Sequence, residues 1–209
     1  MALVTGTNCG LVSSAPTSDP TETGGGTEGY AVAMKVTTGV GVTKITELGW
    51  YLSTTVGSAL TYEVGVYEDD AGDGEPGALV GKSSATSAGT DEGWKSVSVN
   101  ISVSASTTYW LALQVDYVSG TGQIDYEDDT GEERDYKGTE DQTTLTNPWG
   151  DSAADGVDRS LAVYGVYSTG EINPKIKAAG SFATKPIKYK ASGTFAEKTM
   201  KVKVSGTFK

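Results

Sequence analysis

Histidine is absent from this chain of 209 residues, and cysteine occurs once, at Cys9. Those two facts remove zinc sites of the usual kind, Ser-His-Asp triads and imidazole bases, all of which need a ring nitrogen or several thiolates. A disulfide within the chain is excluded too. Carboxylate chemistry and aromatic surface remain. Carboxylates gather first in Glu68-Asp69-Asp70-Ala71-Gly72-Asp73-Gly74-Glu75-Pro76-Gly77, with five acidic side chains in eight residues. Hard oxygen donors on a Gly-rich loop suit Ca²⁺. Against the spacing of an EF-hand loop, Asp69, Asp73 and Gly74 fall in place, whereas the third position is Ala71 and the twelfth is Val80. Asp69 and Asp73 are therefore the candidate metal ligands, and a solvated acidic turn is the expected state of the loop. The second cluster, Asp125 to Glu133, offers paired carboxylates of the sort glycoside hydrolysis uses. That chemistry also needs a cleft and separated pKa values, so this stretch reads as an acidic loop. The expectation is a protein that is not an enzyme and folds without a metal or cofactor. Among the four tryptophans, Trp50 and Trp110 lie in strand-like runs and read as core, and Trp94 as packed under a loop. Trp149, in Asn147-Pro148-Trp149-Gly150, is the best exposed candidate and the possible glycan contact, with structural packing the leading reading for it as for the other three.

The elements that would position these residues are strands. Apolar and polar residues alternate in Tyr30 to Val36, in Val97, Val99, Ile101 and Val103, and less strictly in Ile45 to Leu52 and Thr61 to Tyr67. Thr108 to Val115, Ile124 to Tyr126 and Leu161 to Tyr167 add three more, and Ala78 to Ser83 a short edge strand. Period-two patterning marks half-buried strands, and turn residues recur at the spacing of an all-β sandwich. The predicted fold is an all-β, two-sheet antiparallel sandwich of about eight strands over residues 30–168. Residues 1–29, rich in Ser, Thr, Pro and Gly, read as a flexible or extended N-terminal arm. The opening Met1-Ala-Leu-Val-Thr-Gly6 has neither a basic region nor an apolar h-region, so no secretory signal is expected. No run approaches the roughly 20 apolar residues of a membrane helix.

The runs Glu47-Leu-Gly-Trp-Tyr-Leu52, Tyr62-Glu-Val-Gly-Val-Tyr-Glu-Asp69, Gly74-Glu-Pro-Gly-Ala-Leu79, Gly93-Trp-Lys-Ser-Val97 and Ser106-Thr-Thr-Tyr-Trp-Leu-Ala-Leu113 resemble a family of jelly-roll domains. Such domains recur in phage virion proteins, especially head decoration and fibre proteins, and in bacterial surface and carbohydrate-binding modules. The resemblance covers residues 30–168 and implies eight strands in two Greek keys. It implies a role in a virion or at a surface, but the fold hosts many functions.

Residues 169–209 lie outside that resemblance and carry their own pattern. Lys175-Ile-Lys-Ala-Ala-Gly-Ser-Phe182, Lys188-Tyr-Lys-Ala-Ser-Gly-Thr-Phe195 and Lys201-Val-Lys-Val-Ser-Gly-Thr-Phe208 repeat every 13 residues and hold the three Phe of the chain. Each unit reads as one strand with an apolar face. Three such strands cannot bury that face alone, so Ile176, Phe182, Ile187, Tyr189, Phe195, Val202, Val204 and Phe208 are the candidate assembly residues. Charge divides at the same place. From Glu171 to Lys209 there are nine Lys and two Glu, a balance of +7, while the first 170 residues hold seven basic and 25 acidic residues, a balance of −18. An acidic body argues against coating nucleic acid, so the lysine rows are expected to meet other protein subunits, as in a homo-oligomer or capsid lattice. The expected setting is a virion or the extracellular space, as a capsid decoration, head-fibre or minor capsid component. The alternative is a glycan-binding module or adhesin.

Overall fold

The computed structural model describes residues 1–20, 23–26, 30–70, 74–116, 123–137, 143–149, 158–170, 175–178, 181–184, 203–204 and 207–208. The chain divides into two compact units, Met1–Thr169 and Gly170–Lys209. In the first, the strands are β1 (Gly10–Val12), β2 (Thr23–Gly26), β3 (Ala31–Thr37), β4 (Val42–Leu52), β5 (Leu60–Asp70) and β6 (Glu75–Lys82). They continue with β7 (Thr86–Gly89), β8 (Gly93–Ser102), β9 (Thr108–Val115), β10 (Gln123–Lys137), β11 (Asp158–Leu161) and β12 (Val163–Thr169). No helix occurs among the described residues.

Two sheets result. One runs β1-β12-β4-β8, with β1 parallel to β12 and the other pairs antiparallel. The other runs β10-β3-β9-β5, and β6 and β7 both pair with the far side of β5. The strand β10 belongs to both: its first half pairs with β2 and β11 and meets β4 at Leu52, and Arg134 to Lys137 pair with β3. The architecture is the expected two-sheet, mostly antiparallel sandwich, compatible with a jelly roll. The eight strands expected from the alternation correspond to β3, β4, β5, β6, β8, β9, β10 and β12. Alternation explains their sidedness. In β3, Val32, Met34 and Val36 point into the inter-sheet core, and in β9 so do Tyr109, Leu111, Leu113 and Val115. Trp50 and Tyr62 meet there from opposite sheets, ring centroids 5.6 Å apart.

Three expectations are corrected. The arm is packed, not loose, over residues 1–20: Leu3, Cys9 and Val12 are buried, and β1 extends the first sheet beside β12. Asn8 makes this possible by accepting the Val4 N–H through Oδ1 at 2.6 Å and donating to the Ala2 carbonyl at 3.1 Å, which closes a turn without solvent. The acidic stretch from Asp125 to Glu133, read as a loop, lies within the strand β10. Pairing with β2 up to Tyr126 and with β11 at Tyr126 to Asp128 and Glu133 draws these residues into the sheet, and that outweighs the poor strand propensity of Asp and Glu. The strand expected at Ile124 to Tyr126 is accordingly much longer.

Both sheets are also buried on parts of their outer faces. On the first sheet, Tyr51, Trp94 and Tyr164 form a row of edge-to-face contacts, 5.2 and 5.4 Å between centroids. Tyr164 lies across Gly49, where a Cβ would come within 2.5 Å of the ring, so only glycine fits under it. The N-terminal segment covers this row, with the Trp94 indole donating to the Ser18 carbonyl at 2.9 Å. On the second sheet, Ala31, Ala33, Tyr67, Trp110 and Ala112 are covered by Leu145 and Trp149.

Burial is the main cause that lifts the phenol pKa of Tyr51, Tyr62, Tyr67 and Tyr164 above the usual 10.0. Glu92 adds to it at Tyr51, Glu63 at Tyr67, and Glu47 at Tyr62 and Tyr164. A phenol raised in the fold contributes stability that is complete below its unfolded pKa and is lost as pH climbs through the folded value. Unfolding free energy should therefore hold up to about pH 10 and fall above it. In a spectrophotometric titration these four phenols should ionise only as near-UV circular dichroism collapses. Ionisation of all 11 tyrosines with that signal intact would contradict their burial.

Candidate functional site

The segment Thr143–Trp149 straps the outer face of the second sheet, and the contacts that hold it are specific. Glu63 projects outward from β5 between the inward Tyr62 and Val64 and is 7% exposed. Its Oε2 accepts from Lys82 Nζ at 2.7 Å, Thr144 Oγ1 at 2.9 Å and the Leu145 N–H at 2.8 Å. The Tyr67 hydroxyl donates to the Thr146 carbonyl at 2.7 Å, and the Leu79 N–H to Asn147 Oδ1 at 3.0 Å. Asn147–Pro148 is a cis peptide bond. Leu145 descends onto Gly65, where a Cβ would sit 2.9 Å from Leu145 Cδ1. Trp149 packs edge-on to Tyr67 at 5.0 Å. An aromatic pair of that geometry contributes about 0.5–1.5 kcal/mol beyond its buried area.

For Trp149 the packed reading holds, and the possible glycan contact does not. The ring is 1% exposed, so it offers no face on which a sugar could stack. The turn-rich Asn-Pro-Trp-Gly context suggested an exposed loop tip, yet an aromatic beside an incompletely covered sheet face packs down on it. Trp50 and Trp110 are buried as expected, and Trp94 lies under the N-terminal segment. Of the two candidate metal ligands, Asp69 is engaged within the second sheet. Its Oδ1 accepts from the Trp110 indole at 2.8 Å and lies 3.4 Å from Lys35 Nζ, which itself sits 5.3 Å over the Trp110 ring. Asp73 lies outside the described residues. Among the described residues no group of three or more Asp, Glu or Cys side chains is placed to hold a metal ion.

With parts of both outer faces strapped, one open feature of the sandwich among the described residues is its seam. The edge strands β6 and β8 face each other from opposite sheets, β8 pairing with β4 and β6 with β5. A groove of about 700 Å³ runs between them, lined by Val80, Gly81 and Lys82 on one side and Val97, Val99 and Ile101 on the other. Ser96, Ser98, Asn100 and Ser102 alternate with those apolar residues and are exposed. From Ser96 to Ser102 the edge has no charge and no proline. An edge with open backbone groups and no such blocking residues is a template for another strand.

In the second unit, β13 (Lys175–Ala178) pairs antiparallel with β14 (Ser181–Thr184), and β15 (Lys203–Val204) with β16 (Thr207–Phe208). The first and third repeats are thus hairpins, not single strands. In the sequence, Ala179-Gly180 and Ser205-Gly206 lie between the paired strands. A two-residue connection containing Gly is a hairpin signal. The register sets Phe182 opposite Lys177 and Phe208 opposite Lys203, so the face continuous from Ile176 to Phe182, or from Val204 to Phe208, does not survive the reversal. Ile187, Tyr189, Phe195 and Val202 lie outside the described residues.

No family model, curated protein or solved structure matches this chain. Sequence reading missed the clasp at Glu63. Its signal was a lone carboxylate inside the apolar run Tyr62-Glu63-Val64-Gly65-Val66, an outward position that still has to be covered. Nothing in the sequence named Thr144 or Leu145 as its partners. Replacement Glu63→Ala leaves the Leu145 N–H and Thr144 hydroxyl without their acceptor, at a cost of about 1–3 kcal/mol. Urea unfolding should show that loss, and tryptophan emission should shift to the red as Trp149 becomes wet. Unchanged stability and emission would mean that the strap is held by its apolar contacts alone.

Proposed function

We propose that this chain is a non-catalytic structural protein of a virus-like particle, a capsid decoration, head-fibre or minor capsid component. Its C-terminal repeats join it to other subunits. The observation that carries the reading is the coincidence of charge with architecture. The division at Thr169–Gly170 separates a body of charge −18 from a repeat unit of charge +7. Oppositely charged parts of one chain attract between copies as well as within one, and that attraction steers association. The resemblance of residues 30–168 to virion jelly rolls supports the setting, and the short hairpins support the mode. A two-stranded hairpin is marginal in water, so repeats of this kind gain order by pairing with further strands.

Removing residues 170–209 should leave a chain with unaltered near-UV circular dichroism that sediments as a monomer, where the full chain forms oligomers. The triple replacement Phe182→Ser, Phe195→Ser and Phe208→Ser should act in the same direction. Each phenylalanine buried on assembly contributes on the order of 2 kcal/mol. Equal assembly of the full and shortened chains would contradict the reading.

A further inference from the structure

We infer that the outer edge of β8 is the acceptor for this assembly, and that its occupant is a strand of the C-terminal repeat of a second copy. The inference rests on the reading above and adds the place where the repeat docks. Parts of both outer faces of the sandwich are covered. The outer face of the first sheet lies under the segment that meets Trp94, and that of the second lies under Leu145 and Trp149. By contrast, β8 has only β4 as a strand partner among the described residues, and it borders the groove facing β6.

The chemistry of donor and acceptor corresponds. The acceptor alternates Val97, Val99 and Ile101 with Ser96, Ser98, Asn100 and Ser102. In each repeat the residues between the lysine pair and the Phe are Ala, Val, Ser, Gly and Thr. The one ammonium in the groove, Lys82, is already held 2.7 Å from Glu63. Exposed Asp91 and Glu92 stand at the start of β8, where a lysine pair such as Lys175 and Lys177 finds opposite charge. A copy of β8 from another molecule would instead bring its own Asp91 and Glu92, and the body charge of −18 with them. Charge complementarity therefore selects the repeat over a β8–β8 pair.

Asn100 is suited to the test: it is exposed, lines the groove, and lies at the irregularity between Ile45 and Glu47 where β4 places no residue directly opposite. Full-length Asn100→Lys and Asn100→Glu chains are compared with the parent by sedimentation velocity at low salt. Asn100→Lys should weaken self-association about three- to fivefold and Asn100→Glu should tighten it by a similar factor. Weakening by both replacements would indicate β8–β8 pairing and overturn the repeat as occupant. Indifference to both, with association intact, would overturn the edge as acceptor while leaving assembly through the repeat standing. A parent chain that does not associate at all would overturn the inference together with the reading on which it rests.

Discussion

A sandwich buries the inner faces of its sheets for free, but aromatic residues on the outer faces need a separate cover. That requirement organises this molecule. Tyr51, Trp94 and Tyr164 on one sheet and Tyr67 and Trp110 on the other are too large to leave in water as continuous patches. Each set lies beneath irregular chain, the N-terminal segment in one case and Thr143–Trp149 in the other. Irregular chain over an apolar face brings unsatisfied backbone groups with it. The Glu63 carboxylate answers that need by taking the Leu145 N–H, and the Tyr67 hydroxyl answers it by donating to the Thr146 carbonyl. Cover and clasp thus depend on each other.

With the aromatic parts of both faces covered, the strand edges are the remaining places where backbone groups can meet another chain. On the side of β10, one long strand paired in both sheets laces the sandwich shut. On the side of β6 and β8 nothing equivalent occurs among the described residues, and the two edges flank an open groove. The lack of charge or proline from Ser96 to Ser102 is then a structural feature with a consequence: backbone hydrogen bonding, which is indifferent to side chains, becomes available to a guest strand. The small, hydroxyl-rich composition of the repeats suits such a guest, and their lysines favour an acidic host.

Much of the fold was legible because alternation is a direct image of sidedness. Val97, Val99 and Ile101 announced β8, and Val32, Met34 and Val36 announced the inward face of β3. Where the reading failed, composition was a poor proxy for burial. Leu3, Cys9 and Val12 are single apolar residues scattered among Ser, Thr and Gly, and only the neighbouring β12 turns them into a packed edge. The acidic β10 defied propensity because its pairing comes from strands distant in sequence. Trp149 carried the signs of a loop tip, but Tyr67 and the Gly77 carbonyl that hold it lie far away along the chain. The repeats showed perfect alternation on paper, but in the first and third the described residues pair antiparallel within the unit, which sets Phe182 opposite Lys177 and Phe208 opposite Lys203.

The account comes down to which surface closes when molecules meet, and hydrogen exchange resolved by residue measures that directly. Exchange of the full chain would be followed at concentrations below and above the onset of association. The amides of Ser96 to Ser102 should slow about tenfold or more on association, while those of Leu145 and Trp149, already bonded to Glu63 and the Gly77 carbonyl, stay as they were. Association that leaves Ser96 to Ser102 exchanging at an unchanged rate, or that instead protects the strap, would contradict the account.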